Sequence, residues 1–170
     1  MLGEHPKESR SQLLQDLENQ GSKDLFDYWG SLYEQNHTTP KRSMFDPLAV
    51  LKHSPHLWMI RYDHSTNKFT FKLAGEHLVD FFGVNPVNKT LEEIYLDKMI
   101  QQTEEFFCNI IKTPAIVLNQ GHRYMRKRDY PLEYERVGFP MLNEKGDCTH
   151  IIGTSYFYGL KNLSWGREME

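Results

Sequence analysis

The sequence predicts an α+β domain, a small antiparallel sheet with helices packed on one face and a helical extension at its N-terminus. Three stretches carry that expectation. Leu132 to Leu142 and Thr149 to Tyr158 read as two strands joined by the polar, glycine-bearing turn Asn143-Glu144-Lys145-Gly146-Asp147. Lys68 to Ala74 alternates cleanly, with Phe69, Phe71 and Leu73 on one face and Lys68, Thr70 and Lys72 on the other. Asp97 to Lys112 sets Met99, Ile100, Thr103, Phe106, Phe107, Ile110 and Ile111 along one helical face before Pro114 stops it.

Taken in order, residues 1–21 are polar, with a weak helical stripe of Leu13, Leu14 and Leu17 ended by Gly21, and read as a flexible or frayed helical arm. Residues 22–56 form an N-terminal helical extension. Ser22 is placed to cap a helix with Asp24 in its first turn, and Leu25, Phe26, Trp29, Leu32 and Tyr33 form one broad apolar face ending near Asn36-His37. Asp46-Pro47 opens a second, short helix with proline at the tolerated first position, ending before Pro55. Residues 57–160 are the core. Leu57 to Asp63 is a strand, His64 to Asn67 a turn and Lys68 to Ala74 its partner. Gly75 then leads into a short helix from Glu76 to Phe82, closed by Gly83. Thr90-Leu91-Glu92-Glu93 has the spacing of a capping box. Ala115 to Met125 is a strand kinked near Gly121, and residues 161–170 are a tail. In the closing hairpin, Val137, Phe139 and Met141 alternate with Leu132 and Tyr134, and Ile151 and Phe157 with Ile152, Tyr156 and Tyr158, so cover is expected on both faces.

A chain of 170 residues with 13% aromatics can bury a real core as one domain plus an extension. The net charge of −3 favours neither nucleic acid nor anionic lipid. The basic run His122 to Arg128 is short, is closed by Asp129, and reads as a solvated loop. No apolar run reaches a membrane span, and the N-terminus has no apolar signal region. Cys108 and Cys148 make no disulfide framework, so a cytoplasmic location is expected. Catalytic signatures are missing: there is no Gly-x-Ser-x-Gly, no phosphate loop, and no paired carboxylates in an apolar setting. The pairs His53/His56 and Cys148/His150, the latter two residues apart on one strand face, fall short of the three or four ligands of a closed metal site.

Four motifs in sequence order are similar to those of a known family: Phe26-Asp27-Tyr28-Trp29, Pro40 with Asp46-Pro47, the strand end Phe69 to Gly75, and Tyr134-Glu135-Arg136 followed by Pro140-Met141. With the element order β-β-α-α-α-β-β-β, residues 22–160 resemble the PAS fold, and in particular a subfamily of short, stand-alone bacterial PAS proteins. Lys72 and Glu76 stand where that family's pattern usually has Arg and Thr. The resemblance implies a five-stranded antiparallel sheet of order 2-1-5-4-3 with short helices forming a pocket against one face. It also implies a non-catalytic sensor or dimer module.

The expected pocket lies between the sheet and the core helices and takes in Phe69, Phe71, Leu73, Leu78, Phe82, Met99, Phe106, Tyr134 and Arg136. Arg136 stands out because a guanidinium inside an apolar strand needs a partner: a carboxylate of the protein, solvent at the sheet edge, or an anionic ligand. Haem is not expected, because the long helix contains no histidine and His77 is the only substitute; flavin photochemistry is not expected either, since Cys108 lies on the wrong helix without an Asn-Arg neighbour pair. Two function classes stand: a sensor for a small molecule of unknown identity, signalling through a protein partner or self-association, and a pure interaction module whose pocket is filled by its own side chains. The apolar face of the Ser22 to Glu34 helix is wider than one sheet edge needs, so a homodimer through the N-terminal helices against the sheet is expected.

Overall fold

The computed structural model describes residues 7–123 and 131–159. Helix α1 (Lys7–Asp16) and helix α2 (Gln20–Asn36) are followed by two 3-10 segments, Arg42–Met44 and Pro47–His56. Then come β1 (Leu57–Asp63), β2 (Lys68–Ala74), α3 (Glu76–Phe82), α4 (Leu91–Ile94), α5 (Asp97–Ile111), β3 (Val117–Arg123), β4 (Leu132–Leu142) and β5 (Cys148–Phe157). The five strands form one sheet of order β2-β1-β5-β4-β3, antiparallel at every pairing. Of the basic run His122–Arg128, the part from residue 124 onward lies outside the described residues, as does the 161–170 tail.

The alternation along β4 and β5 divides the core in two. Leu132, Tyr134, Ile151 and Phe157 point to the face covered by α3, α4 and α5, where they meet Trp58, Ile60, Phe71, Phe106, Phe107 and Ile110. Val137, Phe139, Met141 and Ile152 point to the other face and pack against Leu25, Phe26, Trp29 and Leu32 of α2. The apolar face of α2 is therefore buried inside its own chain, with Trp29 only 3% exposed and its indole Nε1 donating to the Pro140 carbonyl at 2.9 Å. Helix α1 crosses the outside of α2, with the Arg10 guanidinium 5.3 Å from the Tyr33 ring centre and 5.9 Å from that of Phe26.

Local rules account for most boundaries. Gly83 closes α3 in the left-handed region (φ 70), and Thr90 and Glu93 form the capping box at α4. Asp46 accepts the Leu48 amide at the start of the second 3-10 segment, which runs through Pro55 rather than ending before it. Other local expectations fail as well. Gly21 does not stop a helix and Ser22 does not cap one, because α2 starts at Gln20 and both residues lie buried inside it. Leu73 does not share a face with Phe69 and Phe71: Met59 pairs with Leu73 and Ile60 with Phe71, so Lys72 is the extra residue of a bulge and Leu73 turns to the α2 side. A second irregularity, at Thr149, separates Cys148 from His150; Cys148 joins the α3–α5 core and His150 the opposite face.

Candidate ligand site

On the α3–α5 side, β1, β4 and β5 form the floor of a cavity. Gly138 and Gly153 are paired across β4 and β5, and the Trp58 indole lies over them. A β-carbon on Gly153 would fall 2.2 Å from Trp58 Cζ2, so only glycine admits the ring this close. The indole Nε1 then donates to Ser155 Oγ at 2.9 Å. Phe81 of α3 stacks on Phe157 of β5 with ring centres 3.8 Å apart and planes within 3°. The Phe157 amide donates to His77 Nε2 at 3.0 Å, so that ring nitrogen is unprotonated in this arrangement. Phe82 meets Phe71 and Tyr95 edge-on, and Phe107 meets Trp58 in the same way.

Arg136 enters this wall from β4. It is 5% exposed, and its guanidinium carbon lies 3.8 Å from the centre of the Phe106 ring, 5.7 Å from that of Phe107 and 5.9 Å from that of Tyr134. Its position is a cation–π site, in which flat ring faces carry the partial negative charge that a desolvated guanidinium needs. The Tyr134 hydroxyl donates to Asn119 Oδ1 on β3. The cavity itself is small, about 20 Å³, which is room for roughly one water.

Of the residues expected here, Phe71, Leu78, Phe82, Tyr134 and Arg136 line the cavity. Phe69 and Phe106 are buried in the same core behind the lining, Met99 is buried away from it, and Leu73 lies across the sheet because of the Lys72 bulge. Trp58, Phe81, Tyr95, Phe107, Ser155 and Phe157 complete the lining and were missed. Two signals could have found some of them: Phe157 shares its alternating set with Ile151, and the Gly138/Gly153 register marks where a large ring must lie.

The other face of the sheet holds a second polar centre. Glu135, fully buried, accepts the Glu18 amide at 2.7 Å, the Asn19 amide at 3.4 Å, Asn19 Nδ2 at 3.0 Å, Ser22 Oγ at 2.8 Å and Gln120 Nε2 at 3.2 Å. A carboxylate thus stands at the N-terminus of α2, where unpaired amides and the helix dipole favour negative charge. The Tyr156 hydroxyl lies against Gly21, and burial with the nearby Glu135 charge pushes its pKa up to about 12. His53 and His56 do not converge on a shared ligand position. His53 Nε2 lies 2.7 Å from Asp24, and His56 stacks on Tyr156 with Nδ1 3.2 Å from the Ser155 carbonyl. Cys148 is packed in the α3–α5 core, and burial pushes its thiol up to about 12, which disfavours the thiolate.

The model for the PAS domain family matches residues 17–156, so the chain belongs to the PAS domain family. PAS domains are typically sensory modules without catalysis of their own. The structure is similar to the PAS domain of BvgS from Bordetella pertussis, at 14% identity and a TM-score of 0.50, covering 63% of this chain and 81% of that one. It is also similar to VqmA from Vibrio cholerae, at 13% identity and a TM-score of 0.51, covering 65% of this chain and 49% of that one. A structure of VqmA bound to DPO matches at 13% identity and a TM-score of 0.51, over 65% of this chain and 56% of that one. At these identities the likeness shows the fold, and this chain spans about half the length of the VqmA chains. No curated protein matches the sequence. Among the described residues no helix is long and apolar enough to cross a membrane.

Proposed function

We propose that this chain is a non-catalytic sensory module that takes a small molecule between the sheet and α3–α5 and passes its ligand state to a protein partner or a second copy of itself. The supporting observation is the placement of Arg136, a buried guanidinium in a wall otherwise built from Trp58, Phe71, Phe81, Phe82 and Phe107. A planar fork of donors set among aromatic faces suits a compact ligand with an apolar or aromatic body and a carboxylate or carbonyl head. VqmA, a longer chain similar in fold, is known in a form bound to DPO. Entry of such a ligand requires lining side chains to move apart, because the cavity is only about 20 Å³. In this reading residues 57–160 are the sensor core and residues 22–56 an extension clamped to it, in a reducing, cytoplasmic setting that suits two free cysteines.

That same tightness favours a second reading, in which the Phe81–Phe157 stack is a permanent plug and the domain is an interaction module. Native mass spectrometry of the purified chain, with thermal shifts against a panel of aromatic carboxylates, separates the two. Retained small-molecule mass, or a raised melting temperature lost in Arg136→Gln, is expected for the sensor. No bound mass and no shift at millimolar ligand would leave the plugged module as the function.

A further inference from the structure

The face of the sheet that carries α2 is open near the β1–β2 and β4–β5 turns. There a cleft of about 560 Å³ is lined by Arg42, Arg61 and Lys72, with Met59 and Leu73 from the strands and His150 from β5. The three cations come from three elements: the 3-10 turn after α2, strand β1 next to the sheet edge, and the bulge in β2. Among the described residues none of the three forms an ion pair; the ion pairs present are Lys41–Glu144, Lys52–Asp24 and His53–Asp24. Asp63 also lines the cleft; bonds from the Ser65 hydroxyl at 2.6 Å and the Ser65 amide at 2.8 Å, and the charge of Arg61, hold its carboxyl below the ordinary value, so one negative charge stands beside the three cations and leaves an excess of positive charge. Arg42 Nη1 donates to the Phe45 carbonyl at 3.3 Å and Lys72 Nζ to Asn88 Oδ1 at 3.4 Å; neither bond neutralises charge.

The joint field of these cations is felt by His150. Burial first, then Arg42, Arg61 and Lys72, push its pKa down to about 4, so it is neutral at pH 7. Like charges gathered around one concavity repel each other, and an anion seated among them relieves that repulsion.

We propose that this cleft is a second ligand site, on the opposite face of the sheet from the aromatic cavity, and that it takes a compact phosphate-bearing anion. A carboxylate is planar and is satisfied by one arginine fork. A phosphate group presents oxygens in several directions, which suits two guanidiniums and an ammonium arriving from separate elements. The cleft volume falls in the range of small-molecule sites.

The test is calorimetric titration of the full chain with inorganic pyrophosphate, with citrate as the polycarboxylate arm. Arg61 and Lys72 are exposed, so Arg61→Gln and Lys72→Gln should keep the wild-type melting temperature, which is checked first. Saturable pyrophosphate binding is expected, weakened at least about tenfold by either substitution and by added salt. Lys112→Gln, an exposed change at the end of α5, should leave it unchanged. Pyrophosphate should also raise the pKa of His150, followed by its imidazole NMR signals, because a bound anion offsets the three cations. No binding at millimolar pyrophosphate, equal weakening by Lys112→Gln, an unmoved His150 titration, or citrate binding as tightly as pyrophosphate would each overturn the assignment.

Discussion

Glu135 and Arg136 are consecutive residues of β4 and serve opposite faces of the sheet. Glu135 gathers the start of α2 and the Gln120 side chain of β3, so truncating it strands several buried donors at once. Glu135→Ala should lower unfolding stability by about 3 kcal/mol, read as a shift in the urea midpoint; an unmoved midpoint would mean that water replaces the carboxylate without cost. Gly153→Ala should also destabilise the fold, since the new carbon collides with the Trp58 ring. A retained melting temperature together with unchanged Trp58 fluorescence would show that the ring can yield. Of these residues, Arg136 was legible from the sequence because a charge interrupts an apolar strand. Glu135 interrupts the same strand, yet its role was not legible, because Glu18, Asn19 and Ser22 lie more than a hundred residues earlier in the chain.

Helix α2 shows where local reading succeeds and where it stops. Its apolar stripe and its end near Asn36-His37 follow from the sequence, and the structure adds that His37 closes it in the left-handed region. Its start does not, because Asn19 makes no local side-chain cap and the amides there are satisfied by Glu135 from β4. A helix capped by a distant strand carries no mark of that in its own sequence. The β2 bulge is hidden for the same reason: the alternation from Phe69 to Leu73 looks unbroken, and only the pairing with β1 shows Lys72 as the extra residue. Because Trp29 is buried against Phe139, Trp29→Ala should cost about 3–5 kcal/mol, measured by chemical denaturation. A second test concerns Asp24, which ties α2 to the Pro47–His56 segment. The hydrogen bond with His53, then that with Lys52, hold its carboxyl well below its ordinary value of 3.8. A depressed folded-state pKa contributes stability that is complete above about pH 4 and is lost as the pH falls below it. Asp24→Asn should therefore be less stable than the wild type at pH 7 and converge with it towards pH 2, as followed by urea midpoints across that range.

At the scale of the whole molecule, one sheet separates two apolar cores, and the N-terminal helices are the roof of one of them. Removing residues 1–43 should uncover Val137, Phe139, Met141 and Ile152 together. Light scattering should then show the shortened chain aggregating while the full chain stays monodisperse. A shortened chain that remains monodisperse and cooperative in melting would show that the N-terminal roof is dispensable. The strands follow from periodicity, and the sheet order from the family resemblance. The identity of the cavity's lining does not, because it depends on which rings face each other across a floor opened by two glycines. Viewed mechanically, β4 is a crossbar through the sheet. A step of about 3.8 Å between neighbouring α-carbons joins the residue pressed against the cavity rings to the residue that clasps the root of α2. The peptide between them is rigid. The wall of the cavity and the anchor of the roof are therefore parts of a single stiff member, separated by no more than the thickness of one strand.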